Sequence, residues 1–560
     1  MSAAASTRAD AHPNVLVRAC REHARLRPSA TALLDAQGAL AFGDLWSAVQ
    51  ARAASLDALG IGPGSAVLVR AKRDRHTLQT MLALMLVEAC YVPVAADASD
   101  YVIHRCAEAC GGFLLEDAGS RPLVAPGGGV YGACSLPAYG IATSGTTGEP
   151  KVVLIPVGAL SAQLQALASI YGIAPRDRVL HVVPPTFDLS FEIVGTAWLR
   201  GATVLMPEHA FADGIAALHA YCNMHEASIV NAPTAVVDAW LAWADAASEH
   251  LPHCTRLWII GTETCRPSTV AALKRLCAPS ARRINAYGLT ETTITSTCWD
   301  MVTEAMDGDS VPVGTPLGGA VARVLDEHGR PCAPGQRGRV YVGGVALAIG
   351  YAGDAASTAD RFRPDPWGTP GSRLFDTRDI GWIDDLGRLV VAGRCDRQAK
   401  IGGIRVEPDG IARVIETHHD VIAAAVAGVP LAHPSMLAAW IIARDEIALG
   451  DVKEFVAQRV QPYELPRRWC VVDAFPLTPN GKLDLQALQA ATPDLGATGH
   501  WDEAVAPALE KAFNGNMPDP RTSFLGNGGD SLIAMAVVTE FRRLGLELPL
   551  SALWSEAPLA

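Results

Sequence analysis

Short aliphatic and β-branched runs alternate with segments of helical apolar spacing through the first two-thirds of the 560-residue chain. SAVLVR (65–70) precedes a helical segment at 74–89, which gives way to YVPVA (91–95). RVLHVVP (178–184), ATVLM (202–206), SIVNA (228–232) and RLWIIG (256–261) follow in the same manner. Nearly continuous apolar strands separated by helices predict parallel sheets covered on both faces. The longest apolar stretch, MLALMLVEACYVPVAA (81–96), is interrupted by Glu88 and is too short to span a bilayer. It reads as a buried helix running into a buried strand. From about residue 320 the texture turns Gly-rich and hairpin-like, as in GRVYVGGVALAIGYAGD and GRLVVAGRCDRQAKIGG. A smaller α+β unit is expected to begin near Arg397 and to end after GKLDLQAL, and ATPDLGATG (491–499) reads as a linker. The expected organisation is therefore a large α/β unit over 1–395, a small α+β unit over 396–490, the linker, and a compact all-α unit over 500–560.

Composition narrows the possible partners. The formal charge of −12 argues against nucleic acid, because phosphate backbones demand basic surface. Thirteen cysteines lie scattered without CxxC pairs, which suggests reduced thiols in a cytoplasmic protein and neither a zinc ribbon nor a disulfide framework. The opening MSAAASTRADAHPNV has no apolar core of a signal peptide, and no membrane association is expected.

The segment ATSGTTGEPK (142–151) packs four hydroxyls, two glycines and a lysine into ten residues. Glycine lets backbone N–H groups approach a polyphosphate closely, while hydroxyls donate and lysine supplies charge. It is not a Walker loop, because Gly145 and Gly148 are too close together and Val152 follows Lys151. Taken alone, it is equally a surface loop.

NAYGLTETT (285–293), GRVYVGG (338–344), LFDTRDIGW (374–382), GRCDRQAKIGGIRVEP (393–408), LPRRWC (465–470) and PLTPNGKLD (476–484) follow in that order. Together with the opening loop they span about 340 residues, and the first ~490 residues resemble an adenylation domain of the acyl-AMP-forming superfamily, of the kind found in nonribosomal peptide synthetases. Val152, Arg378 and Gly402 depart from that family's usual residues, and YVPVAAD lacks its usual Asp-Pro.

The resemblance implies that a carboxylic acid attacks the α-phosphorus of ATP and expels pyrophosphate. Charge then builds on phosphoryl oxygens, so catalysis is mostly positioning and electrostatic neutralisation. It assigns Thr143, Ser144, Gly145, Thr146, Thr147, Gly148 and Lys151 to the β- and γ-phosphates. Glu291 is assigned to Mg²⁺, a hard cation suited to oxygen ligands. Tyr287 is to stack on adenine, Asn285 to bond its edge, and Asp379 to accept from the ribose hydroxyls beside Arg394. Lys482 is the expected catalytic cation, bridging the substrate carboxylate and the ribose–phosphate oxygen.

For the acid itself the resemblance assigns Asp188, in FDLSFE (187–192), to an α-ammonium, which favours an amino acid over an acid lacking an amine. Glu192 lies four residues on, and on a helix it shares a face with Asp188. The side-chain pocket is carried over to Leu189, Glu192, Val230, Ile259, Gly261, Ala286, Ile294 and Thr295. One carboxylate in an otherwise uncharged wall suits a cationic side chain.

FLGNGGDSLIAMAVVTEFRRLG (524–545) contains GDSL, but no histidine follows Ser531 and no glycine stands two residues after it, which argues against a serine hydrolase. The segment resembles a peptidyl carrier domain, in which Ser531 bears 4′-phosphopantetheine and Leu532, Met535, Val538, Phe541 and Leu544 form one helical face. The pantetheine thiol attacks the acyl-adenylate and releases AMP, while the small domain swings about Asp396. The implied partners are an amino acid, a phosphopantetheinyl transferase, and condensation, tailoring or release enzymes acting on the loaded carrier. The alternatives are an acyl- or aryl-acid CoA ligase and a non-catalytic module that presents a carrier.

Overall fold

A computed structural model of the chain describes residues 12–116, 119–122, 136–143, 151–208, 214–304, 306, 310–395, 398–401, 404–429, 436–444, 449–476, 483–491, 505–513, 518, 524, 531–543, 548 and 553. The predicted strand–helix alternation forms two large sheets. In the nine-stranded sheet, Arg282–Tyr287, Leu257–Gly261, Ile229–Pro233, Arg178–Leu180, Thr203–Leu205 and Thr31–Asp35 run parallel and side by side. Antiparallel strands close both of its edges. The seven-stranded sheet has a parallel centre of Pro137–Thr143, Cys90–Ala95, Ala66–Ala71 and Gly112–Glu116. These strands read as apolar runs because helices bury both of their faces. Between the sheets, Tyr139 stacks on Phe191 at 3.9 Å and belongs with Val194, Leu164 and Trp198 to one continuous apolar core.

The stretch 81–96 forms the expected pair. Helix Arg75–Leu86 is capped by Asp74, whose carboxylate accepts from the Thr77 N–H, and strand Cys90–Ala95 follows it. The hairpin-like texture beyond 320 becomes an antiparallel five-stranded sheet that includes Ala320–Leu325, Gly338–Gly344 and Arg373–Ile383. Next comes a small α+β domain. Its strands Val421–Val429, Met436–Ala443 and Arg468–Val471 pack with helices Pro408–Glu416 and Leu449–Ala457 around their own apolar cluster. Its hairpin Ala399–Ile401/Ile404–Val406 reaches the large domain.

Near the C-terminus, helices Ala506–Ala512 and Ser531–Arg543 share a cluster of Leu509, Phe513, Phe524, Ile533, Val537 and Leu553. The buried stripe is centred on Ile533, Ala534 and Val537, with Val538 and Phe541 at its margin. Val538 and Phe541 belong to the expected face, and the side chains of Leu532, Met535 and Leu544 lie outside the described residues. The helix also packs on Thr234–Ala247 of the large domain. Among the described residues no helix is long and apolar enough to cross a membrane.

Candidate active site

Parallel strands converge at their carboxyl ends, and the helices that follow splay apart there, leaving a crevice. Here the strands ending at Pro233, Gly261 and Tyr287 border a cavity of about 380 Å³. Helix Asp188–Arg200 forms one wall, and the small domain closes the cavity with Gln398, Lys400, Ile401 and Ile404. Gly288 turns the chain at its rim. A Cβ there would lie 1.7 Å from the Ile294 carbonyl oxygen, so this position of NAYGLTE accepts glycine alone. Thr262 (φ 70) and Ile294 (φ 71) are β-branched residues held in the left-handed region, and both line the cavity. Such strain persists only where surrounding structure enforces it, and it gathers at functional sites.

Asp188 opens the wall helix and is half-buried, with its carboxylate at the cavity. Burial raises its pKa, against hydrogen bonds from the Thr290 hydroxyl and the Leu189 N–H. The charge of Lys400 acts on it in the same direction as these bonds, and no cation is ion-paired with it among the described residues. Leu189, Gly261, Ala286, Ile294 and Thr295 line the same cavity, as expected.

Three expected pocket residues do not. Val230 and Ile259, almost wholly buried, pack into apolar clusters behind the wall, and Asn231 is the lining residue of its strand. Successive side chains on a strand face opposite ways, so choosing Val230 over Asn231 put the wrong face into the pocket. Glu192 is fully enclosed beneath the wall. It accepts from the Tyr171 hydroxyl at 2.8 Å, Asn231 Nδ2 at 2.7 Å and Thr295 Oγ1 at 2.7 Å. No arginine pairs with it among the described residues, and burial raises its pKa. One helical turn separates Glu192 from Asp188, but the helix also dives inward, so the second carboxylate passes below the cavity floor.

Glu291 lies in the 3₁₀ turn Thr290–Thr292 and is completely buried. Tyr351 donates to it at 2.8 Å, and one Arg405 nitrogen bridges its two oxygens at 3.0 and 2.8 Å. Burial alone would raise the Glu291 pKa, but the charges of Arg405 and Arg361 outweigh it and hold the carboxyl below its usual range. A Mg²⁺ ion needs carboxylate oxygens open to it. In this domain arrangement the Arg405 guanidinium engages both, so a Mg²⁺ ion at Glu291 would share or displace that ion pair.

Tyr287 donates its hydroxyl to Asp379 at 2.5 Å, and Arg394 reaches the other Asp379 oxygen at 2.7 Å. The Asp379–Arg394 neighbourhood is thus as expected, each oxygen keeping lone pairs for a further donor. Asn285 is buried, its amide nitrogen bonded to the Pro312 carbonyl at 2.7 Å, and it does not line the cavity. Thr143 and Lys151 pair across the neck of a hairpin. Lys151 is turned onto helix Ala355–Arg361, bonding Ser357 at 2.6 Å and Asp354 at 3.3 Å. Arg378, where the resembling family carries glycine, sits at φ 60, the conformation glycine adopts most readily. Ser144, Gly145, Thr146, Thr147, Gly148, Asp396, Gly402 and Lys482 lie outside the described residues, as does the Ser531 side chain at the start of its helix.

Lys400, Arg405 and Tyr351 were not singled out from the sequence. Lys400 lies in the quoted GRCDRQAKIGG segment, and burial lowers its pKa at the cavity.

A family model described as "AMP-binding enzyme" matches residues 20–115 and 135–352, and one described as "AMP-binding enzyme C-terminal domain" matches 411–482. AMB antimetabolite synthetase AmbB of Pseudomonas aeruginosa is 32% identical over 561 residues, covering 94% of this chain and 43% of that protein. Malpinin synthetase of Mortierella alpina is 30% identical over 580 residues, covering 95% of this chain and 7% of that one. The chain therefore spans a minor part of both relatives. Among solved structures, holo-PA1221, an NRPS protein containing adenylation and PCP domains bound to a vinylsulfonamide inhibitor, superposes with a TM-score of 0.81. That likeness covers 98% of this chain and 96% of the other at 23% identity, and it establishes a shared fold.

Proposed function

The chain belongs to the AMP-binding enzyme family, and from that premise we propose that it activates an amino acid with ATP and transfers it to a pantetheine thiol on Ser531. In the first step a carboxylate oxygen of the amino acid bonds to the α-phosphorus of ATP, and the bond to pyrophosphate breaks. In the second the pantetheine sulfur bonds to the adenylate carbonyl carbon, losing its proton, and AMP leaves with the electron pair of the broken C–O bond.

The observation that carries the amino-acid reading is Asp188. A carboxylate with an elevated pKa, facing a largely apolar cavity with no ion-paired cation among the described residues, is poorly stabilised until a cation arrives. An α-ammonium supplies that cation and brings its own carboxylate into the same crevice. Asp379, braced by Tyr287 and Arg394, is available to hold ribose hydroxyls. Thr143 and Lys151 anchor the loop proposed to cover the outgoing phosphates, and Lys482 is the proposed charge at the reacting oxygens. Carrier loading rests on the GGDSL motif and on a described helix that starts at Ser531.

ATP–pyrophosphate exchange across a panel of amino acids and aryl acids tests the first step, with exchange expected for amino acids. Exchange with aryl or aliphatic acids alone overturns the reading and favours an acid–CoA ligase. No exchange with any acid favours a module that only presents its carrier.

A further inference from the structure

The proposed chemistry leaves Glu192 unused. Its three partners are neutral donors, and two of them, Asn231 and Thr295, stand on the cavity wall. An ionised carboxylate only accepts hydrogen bonds. Asn231 must therefore turn its amide nitrogen toward Glu192, which directs Oδ1 the other way, where no described protein group engages it. Thr295 likewise gives its hydroxyl proton to Glu192, which leaves only lone pairs for a ligand. Leu189, Val236, Ala286 and Ile294 make the surrounding wall apolar. The Thr262 hydroxyl, on the same wall, is buried without a hydrogen-bond partner among the described residues.

We propose that Glu192 is a positioning residue that, through Asn231 and Thr295, makes this end of the cavity an acceptor surface selecting amino acids whose side chains end in an N–H or O–H donor. The inference rests on the amino-acid reading above. An apolar side chain of equal length strips water from Asn231 Oδ1 and returns no hydrogen bond, and a site built to bond a polar group discriminates strongly against the analogue lacking it. A side-chain carboxylate meets acceptors backed by a like charge. An ammonium is the best-matched member of the class, because it offers three donors and is attracted by the carboxylate beneath.

The test is ATP–pyrophosphate exchange by the full chain with shape-matched pairs: ornithine against norleucine, and threonine against valine. In at least one pair the donor-bearing amino acid is expected to exceed its apolar match by about tenfold or more in kcat/KM, mostly through KM. Glu192→Gln places a second donor-bearing amide beside Asn231 and is expected to narrow that ratio about tenfold, mainly by raising KM for the donor-bearing partner. Asn231→Leu removes the acceptor and is expected to reverse the preference. A purely structural Glu192 depresses both members of a pair alike. Preference of the wild type for the apolar partner in both pairs overturns the inference and leaves amino-acid activation intact. So does a ratio that neither variant moves by more than about twofold. Exchange with aryl acids alone removes both readings together. Thermal unfolding accompanies each variant, and Asn231→Leu decides if Glu192→Gln does not fold.

Discussion

Arg405 of the small domain bridges both carboxylate oxygens of the fully buried Glu291 in the large domain, at 3.0 and 2.8 Å. Burial works against the Arg405 charge, but Glu291 and Glu407 outweigh it and raise its pKa. The same carboxylate that the sequence offers to a metal is thus the anchor of the domain arrangement.

Removing one partner of a buried pair strands the other, at a cost of roughly 3–5 kcal/mol. Arg405→Ala is therefore expected to loosen the small domain, seen as a larger radius of gyration and faster proteolysis between the domains, while each domain keeps its secondary structure. An unchanged radius and cleavage rate refute the anchoring role. The pH sign follows from the lowered Glu291 pKa. The pair's contribution is present above the ordinary carboxyl value of 4.5 and is lost as pH falls through the depressed folded value. The compact arrangement should accordingly survive to below about pH 4.5 in wild type.

Asp188 titrates in the opposite sense. Burial raises its pKa above the ordinary 3.8, and an α-ammonium pairs with it only when it is ionised. The expected profile of kcat/KM for the amino acid is flat near neutrality and falls on the acid side, beginning above pH 3.8. Asp188→Asn should lose about a hundredfold or more at neutral pH and flatten that acid limb. A profile identical in wild type and variant removes the ammonium-binding role.

Lys482→Ala is expected to cut pyrophosphate exchange by about a hundredfold or more, equivalent to roughly 3 kcal/mol of lost transition-state stabilisation. Circular dichroism and phosphopantetheine loading should not change. Exchange within a few-fold of wild type shows that the charge comes from elsewhere.

Ser531→Ala is expected to leave exchange intact and to abolish the mass increase on treatment with CoA and a phosphopantetheinyl transferase. Intact-mass spectrometry reads this directly. A pantetheine adduct persisting on the variant places the arm on another residue.

The sequence by itself determined the strand–helix order, the change of texture near residue 320, and the motif series from Thr143 to Lys482, because these depend on residues close together along the chain. Apolar runs such as RLWIIG become central strands wherever both faces are covered, and Gly288 follows from one local clash. Asp188 was legible for the same reason, since one residue placed at a helix start by a six-residue motif needs little else. Tertiary structure alone decided which carboxylate faces the cavity. Glu192 bonds Tyr171, Asn231 and Thr295, up to 103 positions away, and no local pattern records that meeting. The choice between Val230 and Asn231 turned on which way a pleated strand faces, a one-residue distinction that a strand buried on both faces leaves unmarked. The pairing of Glu291 with Arg405, 114 residues on, likewise depends on where a second domain rests. Charge and hydrogen-bond capacity are written in the residue type; which partner fills them is fixed only when distant segments are packed together.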